Sequence, residues 1–230
     1  MSTLNLSAED VLSTTRAVRQ RLDFDKPVSE SLIRECVEVA LQAPTGGNTQ
    51  GWQFLAVFDA DKRAALAELY RQGWAKYKTA NGSVFEHAKK VEAGKARDQM
   101  VRVARSADYL AENLEKVPVL MIPCIPGRVE QMGPAGNIAL ASVFGSILPA
   151  TWSYMLAARN RGLGTCWTTV HLMHEEEAAE ILGIPYAEVT QCALIPTAYC
   201  ISTHGRATVA ATPGGTTAAQ SGTAPRANPR

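Results

Sequence analysis

The chain has 230 residues, of which 46% are hydrophobic, and its formal net charge is +1 at pH 7. That composition is typical of a globular protein with one sizeable core, and the balanced charge predicts no nucleic-acid or acidic-membrane partner. Five widely spaced cysteines without a C-x-x-C pair argue against a disulfide framework or a structural zinc site, and they favour a reducing cytoplasm.

Two serines predict where the first helices begin. Ser7, followed by Asp10, resembles a capping box, and the helix that it opens is predicted to run to about Arg19. Ser29 is predicted to cap a second helix, because an apolar stripe with helical spacing follows it.

The remaining elements follow from hydrophobic periodicity and glycine stops. In chain order they are a strand at 52–58, a helix at 60–74, surface helix and loop at 76–105, a buried strand at 117–125, a helix at 138–160, a strand at 165–170, a helix at 174–184 and a strand at 189–200. Strands separated by helices and long connections predict one α+β or α/β domain over residues 1–205. The tail 206–230 is poor in large apolar residues, so it is predicted to be disordered.

The uncharged segment 138–158 permits two interpretations. It is long enough to cross a bilayer. A helix buried in a domain or dimer is also hydrophobic all round, and the several hydroxyl side chains and Pro149 favour that reading. The prediction is therefore a helix of a protein with no membrane partner.

Two arginines near the predicted end of the first helix form the first candidate site. Arg16 and Arg19 are three residues apart, so on a helix they would share one face and hold a phosphate bidentately. The alternative is a solvated basic face without a ligand.

The loop "APTGGNTQGW", residues 43–52, is the second candidate. Its glycines let backbone N–H groups approach a planar ligand, and Thr45 adds a short hydroxyl. Asn48 and Gln50 each offer a donor and an acceptor, which suits the edge of a heterocycle. The alternative is a helix end followed by a turn, in which the amides satisfy the loop backbone.

The segment "RGLGTCWTTVHLMHEEE", residues 161–177, contains two patterns that we reject. Gly162 and Gly164 follow a helix and lack a third glycine, whereas a dinucleotide fingerprint needs a strand, glycines and then a helix. His171 and His174 precede three glutamates, and acids in a first helical turn more simply complement the helix dipole than bind a metal. No metal site is predicted.

Taken together and in this order, these segments resemble the flavin-dependent nitroreductase family. The likeness extends over about residues 10–205 and rests on "TTRAVRQRLDFDKPV", "ALQAPTGGNTQGWQFLAV", "SILPATWSYMLAARNRGLGTCWTT" and "EILGIP…CALIPTAY". The resemblance implies an α+β domain, a mixed sheet flanked by helices, and FMN held at a homodimer interface.

The resemblance also implies which residues bind FMN. The family's R-S-x-R motif corresponds to Arg16, Ala17, Val18 and Arg19, and its P-S-x-x-N-x-Q-P-W motif corresponds to Pro44, Thr45, Asn48, Gln50, Gly51 and Trp52. Main-chain groups after the G-L-G strand face the flavin in the family, which implies Thr168, Thr169, His171 and Leu172, and the basic residue after the last core strand implies Arg206.

The function implied is transfer of a hydride from NADH or NADPH, through flavin N5, to a nitroaromatic or quinone-like small molecule by a ping-pong mechanism. No side chain is assigned as a catalytic acid or base, since the flavin carries the chemistry. Alternatives are a flavoenzyme of the same fold with another acceptor (enone reduction, reductive dehalogenation or oxygen-dependent flavin breakdown) and a non-catalytic flavin carrier. Residues 70–130 are expected to decide the acceptor.

Overall fold

The computed structural model describes residues 3–131, 133 and 136–201. Within them the α-helices are α1 (Ala8–Thr14), α2 (Glu30–Ala40), α3 (Ala60–Thr79), α4 (Val84–Lys90), α5 (Lys95–Asn113), α6 (Gly136–Asn160) and α7 (Glu175–Leu182). The strands are β1 (Leu22–Asp23), β2 (Gln53–Val57), β3 (Val119–Pro126), β4 (Leu163–Thr165), β5 (Val189–Gln191) and β6 (Ile195–Cys200). Arg206 and the tail 206–230 lie outside the described residues.

The predicted helix starts are confirmed by their caps. The Asp10 N–H donates to Ser7 Oγ at 3.1 Å, and the Leu32 N–H donates to Ser29 Oγ at 3.3 Å. These serines satisfy N–H groups that have no partner inside the helix. Helix α7 ends at Gly183, which is left-handed (φ 73°). Glycine adopts this conformation more easily than other residues and therefore often ends a helix.

The sheet is built around β3. Its order is β1-β6-β3-β2, with β4 paired to β6 and β5 paired to β3, and every ladder is antiparallel. One parallel bridge, between Ala17 and Thr165, adds the segment after α1 to this sheet. Helices together with this sheet confirm the predicted α+β class.

Because side chains alternate along a strand, β3 serves two hydrophobic layers. Leu120, Ile122 and Cys124 pack with the buried faces of α3, α5 and α7. Val119 and Met121 pack on the other side with those of α2 and α6. The predicted buried strand is therefore correct, and it lies between the two helical layers.

Three predicted boundaries are wrong. The first helix ends at Thr14 rather than near Arg19, because the chain turns extended at Thr15 and the Val18 N–H donates to the Thr165 carbonyl at 2.8 Å. The predicted strand 165–170 keeps β-pairing at Thr165 and Thr168 and then becomes a 3₁₀ turn, Val170–His174. The predicted strand 189–200 is two strands, since β5 and β6 pair with different parts of β3, and β6 pairs also with β1 and β4.

Helix α6 leaves much of its apolar surface uncovered in the single chain. By length and composition it is apolar enough to cross a membrane, and 28% of its most hydrophobic 18-residue window is buried. It packs on α2, α1 and the sheet, whereas Ile138 (79% exposed), Leu148 (39%) and Trp152 (40%) face outward. An exposed apolar surface of this kind indicates a site where another protein surface packs.

Candidate functional site

The arginine segment and the end of β4 lie side by side. Ala17 bridges to Thr165, and the Val18 N–H donates to the Thr165 carbonyl. Gly164 permits this approach: a Cβ there would lie 3.0 Å from two carbon atoms of Val18 and 2.8 Å from Cys200 Sγ. The glycine of the "GLG" sequence is therefore needed to bring the two segments together.

The sequence predicted that Arg16 and Arg19 share one helical face, and this is wrong, because both lie beyond the end of α1. Neither arginine is paired with an acidic side chain in the described part of the chain. The Arg16 guanidinium donates to the Thr15 carbonyl at 2.7 Å and is otherwise exposed. Arg19 donates to Ser106 Oγ of α5 at 3.3 Å, and its charge partly offsets the rise that burial causes in the pKa of the Cys166 thiol. Two cations therefore border this edge without a counter-ion among the described residues.

The turn after β4 presents unpaired main-chain donors. Thr168 is fixed to Leu194 by two backbone hydrogen bonds of 3.1 and 2.8 Å, and the Leu172 N–H donates to the Thr169 carbonyl at 3.0 Å. Between these points the 3₁₀ turn begins at Val170, and the first N–H groups of a helix have no acceptor within it. The N–H groups of Thr169, Val170 and His171 have no acceptor among the described residues, and of the three residues Thr169 is exposed, Val170 is half-buried and His171 is buried.

Helix α3 supports this turn from behind. The Tyr70 hydroxyl and Thr168 Oγ1 are 2.9 Å apart in a buried hydrogen bond. Burial raises the pKa of Tyr70 to about 12, so the phenol is neutral at physiological pH. One turn later, a Cβ on Gly73 would lie 2.8 Å from the Val170 carbonyl oxygen, which is backbone and has no easy way to move aside. Glycine at this position allows the helix to touch the turn.

The side chain of His171 points inward. It is fully buried, and neither ring nitrogen has a hydrogen-bond partner among the described residues. Burial lowers its pKa to about 3, and the nearby Gln191 amide offsets this only in part. The imidazole is therefore neutral at pH 7. His174, by contrast, is half-buried, with Nδ1 3.2 Å from Glu177 Oε1.

The buried imidazole predicts a pH dependence of stability. Because the pKa is about 3 in the folded state and about 6.5 in the unfolded state, the unfolded chain binds the extra proton between these values. The contribution of His171 to the free energy of unfolding is then at its full value above about pH 6.5. Below that pH the free energy of unfolding falls by about 1.4 kcal/mol per pH unit on acidification toward pH 3. Chemical denaturation at several pH values gives the free energy of unfolding of the wild type and of His171→Gln. The difference between these two values should change with pH by this slope. The exposed His87→Gln is the control, and an equal slope in wild type and His171→Gln would contradict the prediction.

The glycine-rich loop has an unusual backbone. Gly47 (φ 59°), Asn48 (φ 54°) and Gln50 (φ 47°) are all left-handed, a conformation that non-glycine residues adopt at some cost. The amides of Asn48 and Gln50 bond to each other at 2.9 Å and are exposed. Strained backbone of this kind concentrates at ligand-binding positions, in agreement with the predicted role of the loop.

This loop rests on α6. The Gly46 N–H donates to Ser146 Oγ at 2.9 Å, and a Cβ on Gly46 would meet Ser142 Oγ. Within residues 3–131, 133 and 136–201, no hydrogen bond joins the loop to the arginine segment or to the turn after β4. The structure thus brings together two of the three predicted segments and leaves the third on the apolar helix.

The predicted residues have distinct positions. Pro44, Asn48, Gln50, Arg16 and Thr169 are exposed, Thr45, Arg19 and Leu172 are half-buried, and Thr168 and His171 are buried. Sequence reasoning missed Tyr70 and Gly73, through which α3 contacts the turn after β4. Only Gly73 carried a signal, since an isolated glycine inside a helical pattern indicates close packing.

Comparison with known proteins decides the family. The family model described as "Nitroreductase family" matches residues 12–197, which include both segments that meet at β4 and the loop on α6. The chain belongs to the nitroreductase family. Among curated relatives, YodC of Bacillus subtilis (strain 168), by name a NAD(P)H nitroreductase, is 24% identical over 159 residues, covering 68% of this chain and 73% of YodC.

Solved structures of similar fold belong to several activities. An oxidized iodotyrosine deiodinase bound to FMN and 3-iodo-L-tyrosine has TM-score 0.61 and 18% identity, covering 83% of this chain and 88% of that one. A BluB-like flavoprotein from Clostridium difficile 630 has TM-score 0.62 and 18% identity, with coverage of 88% and 94%. The FMN-dependent nitroreductase NfnB from Mycobacterium smegmatis, in complex with NADPH, has TM-score 0.58 and 20% identity, with coverage of 84% and 87%. At these identities the likeness shows the nitroreductase fold.

Proposed function

We propose that this nitroreductase-family protein is an FMN-dependent oxidoreductase that uses NADH or NADPH to reduce a nitroaromatic or quinone-like small molecule. One observation carries the proposal: two arginines without acid partners in the described chain lie beside a turn whose first N–H groups lack acceptors. When bound, FMN supplies the redox chemistry by accepting a hydride at N5 and passing the electrons to an acceptor.

The residues of the site fit the parts of FMN. Arg16 and Arg19 supply charge-assisted hydrogen bonds to the phosphate and the ring edge. The N–H groups of Thr169 and Val170 offer donors to the polar edge of the isoalloxazine, where negative charge develops on reduction. No acid or base is required of the protein, whose part is to orient the partners and hold fixed dipoles.

A second copy of the chain completes this site in the proposal. The loop with Asn48 and Gln50 rests on α6, away from the other two segments, and α6 has the uncovered apolar surface. An isologous dimer through α6 buries that surface and brings the loop of one subunit toward the arginines of the other.

We also propose that the protein is cytoplasmic, in keeping with its five free cysteines. The proposed FMN-binding domain extends to residue 205.

The reaction tests the proposal. The purified protein is expected to be yellow and to release FMN on denaturation, and NAD(P)H under nitrogen is expected to bleach it. Because a single flavin face serves donor and acceptor, double-reciprocal plots with a nitroaromatic or quinone should give parallel lines. Converging lines with a trapped ternary complex would contradict the ping-pong mechanism, and release of FAD or no flavin would contradict the cofactor. Reduction of the bound FMN without turnover of either acceptor would direct the assignment to another acceptor, while no reduction at all would indicate a flavin carrier.

The apolar surface of α6 gives a prediction about assembly. Trp152→Glu places a charge at the centre of the proposed interface, so we expect a monomer in sedimentation experiments and FMN binding weakened by at least about 30-fold. Val101→Glu, at a residue on α5 with a similar exposure (42% against 40%), is the matched control and should remain a dimer. A wild-type monomer that retains FMN would contradict the shared site.

A further inference from the structure

A buried ionic cluster lies behind the turn after β4. The Arg128 side chain is 4% exposed and binds Glu175 through two parallel hydrogen bonds of 2.9 Å. It also donates to the Val189 carbonyl at 2.9 Å and stacks 4.0 Å from the centre of the Tyr186 ring. Planar, bidentate pairing of this kind fixes Glu175 in orientation as well as in position.

Glu175 in turn fixes Gln191 at two points. Its carboxylate Oε1 accepts the Gln191 N–H at 2.8 Å, and its main-chain carbonyl accepts the Gln191 side-chain Nε2 at 2.9 Å. Since Nε2 is used in this way, the Gln191 Oε1 points away from Glu175. Glu175 also begins α7 directly after the 3₁₀ turn, so the cluster is joined covalently to the turn.

Three atoms at the end of this chain of contacts lack hydrogen-bond partners in the part of the chain that the structure describes. They are Nδ1 and Nε2 of His171 and Oε1 of Gln191, and all three are buried. The Gln191 amide nevertheless lies near enough to the imidazole to affect its protonation. A neutral imidazole has one N–H donor, and Gln191 Oε1 is an acceptor, so the two groups complement each other. Leaving them apart would cost the desolvation free energy of each orphaned group without a hydrogen bond in return.

We propose that Gln191, held by Glu175 and Arg128, accepts a hydrogen bond from the neutral imidazole of His171, directly or through one water molecule, and thereby positions the N–H groups of residues 169 and 170 for the flavin. Gln191 and the side chain of His171 are then positioning residues, which act on the cofactor only through the main chain of the turn. This proposal rests on the proposed function, because it takes FMN as the ligand of those N–H groups.

The consequence is a difference between oxidised and reduced FMN. Fixed N–H donors stabilise the charge that reduction places on the flavin edge more than they stabilise the neutral oxidised ring. Loss of their alignment should therefore weaken the binding of reduced FMN selectively. The arginines and the loop are untouched by such a change, so the oxidised cofactor stays bound.

Gln191→Met tests the proposal, because methionine keeps the side-chain length and removes both polar atoms. We expect affinity for reduced FMN to fall about tenfold relative to oxidised FMN, which is a decrease of about 30 mV in the two-electron midpoint potential. The dissociation constant of oxidised FMN should change by less than about threefold. Gln99→Met, at an exposed position on α5, is the control and should leave both unchanged. An unchanged midpoint potential in folded, FMN-loaded Gln191→Met would overturn the proposal.

A second readout uses the protein without flavin. The imidazole N–H proton of His171 should be slow to exchange and visible by NMR in the wild type, and it should be lost or shifted in Gln191→Met. If the protein bound no flavin at all, the proposed function would fail, whereas this resonance would still decide whether Gln191 holds His171. Should Gln191→Met not fold, His171→Leu should lower the potential and His171→Gln should restore part of the loss. Equal potentials for these two variants and the wild type would contradict the positioning role.

Discussion

Replacing Arg16 and Arg19 together by alanine should abolish retention of FMN while the fold stays intact. Each guanidinium contributes a charge-assisted hydrogen bond of about 1.5–3 kcal/mol, so the double variant loses about 3–6 kcal/mol of binding free energy. That corresponds to a dissociation constant about 10²- to 10⁴-fold larger. Fluorescence titration of the flavin-free protein with FMN measures the change, and circular dichroism checks the fold.

A matched control separates specific binding from net charge. Arg34→Ala with Arg97→Ala removes the same charge from two exposed arginines outside the proposed site, and it should leave FMN affinity nearly unchanged. Raised salt should weaken FMN binding more in the wild type than in the Arg16→Ala, Arg19→Ala protein, because exposed charges are screened. A double variant that stays yellow through dialysis would show that these arginines do not hold the phosphate.

Breaking the buried Arg128–Glu175 pair should have the largest effect on stability. Glu175→Leu leaves a guanidinium that is 4% exposed with the half-exposed Glu130, 2.7 Å away, as its remaining counter-ion, so the free energy of unfolding should fall by up to about 3–5 kcal/mol. Combining it with Arg128→Met removes this buried charge, and the loss should then be only about 1–3 kcal/mol, chiefly from the Gln191 N–H that loses its acceptor. Urea denaturation of the single and double variants measures both values.

The surface pair Arg71–Glu115 provides the control for this cycle. Its side chains are 38% and 32% exposed at a separation of 2.8 Å, and such pairs contribute at most about 1 kcal/mol. Arg71→Met with Glu115→Leu should therefore change stability little. If Glu175→Leu proved no more harmful than this control, the buried cluster could not be the anchor of the turn.

The sequence correctly predicted those elements whose signals lie within a few residues of one another. Ser29 predicted the start of α2 because its hydroxyl caps an N–H three residues away, and the continuous apolar run of β3 predicted a strand buried on both faces. The sequence also predicted the class of fold. It marked the glycine-rich loop and the arginine segment as candidate sites, because glycine changes which backbone conformations are allowed and arginine carries charge.

The predictions that failed depended on partners distant in the chain. Thr15 to Arg19 continued a helical pattern, yet Val18 finds its backbone acceptor at Thr165, about 150 residues later, and strand pairing overrides local preference there. Likewise, the run 189–200 carries no internal mark of its division. Its first part pairs with β3 near Pro126, and its last part pairs with β1 and β4.

The sequence alone therefore determined the α+β class, the caps, the central strand and two of the candidate ligand-binding segments. Only the tertiary structure decided that the segment with Arg16 and Arg19 pairs with the end of β4, that the loop with Asn48 rests instead on α6, and that His171 is fully buried. The physical reason is that caps, glycine conformations and apolar periodicity act over a few residues, whereas the Arg128–Glu175–Gln191 cluster joins residues that are 47 and 16 positions apart. Such contacts exist only after the two helical layers have packed on β3.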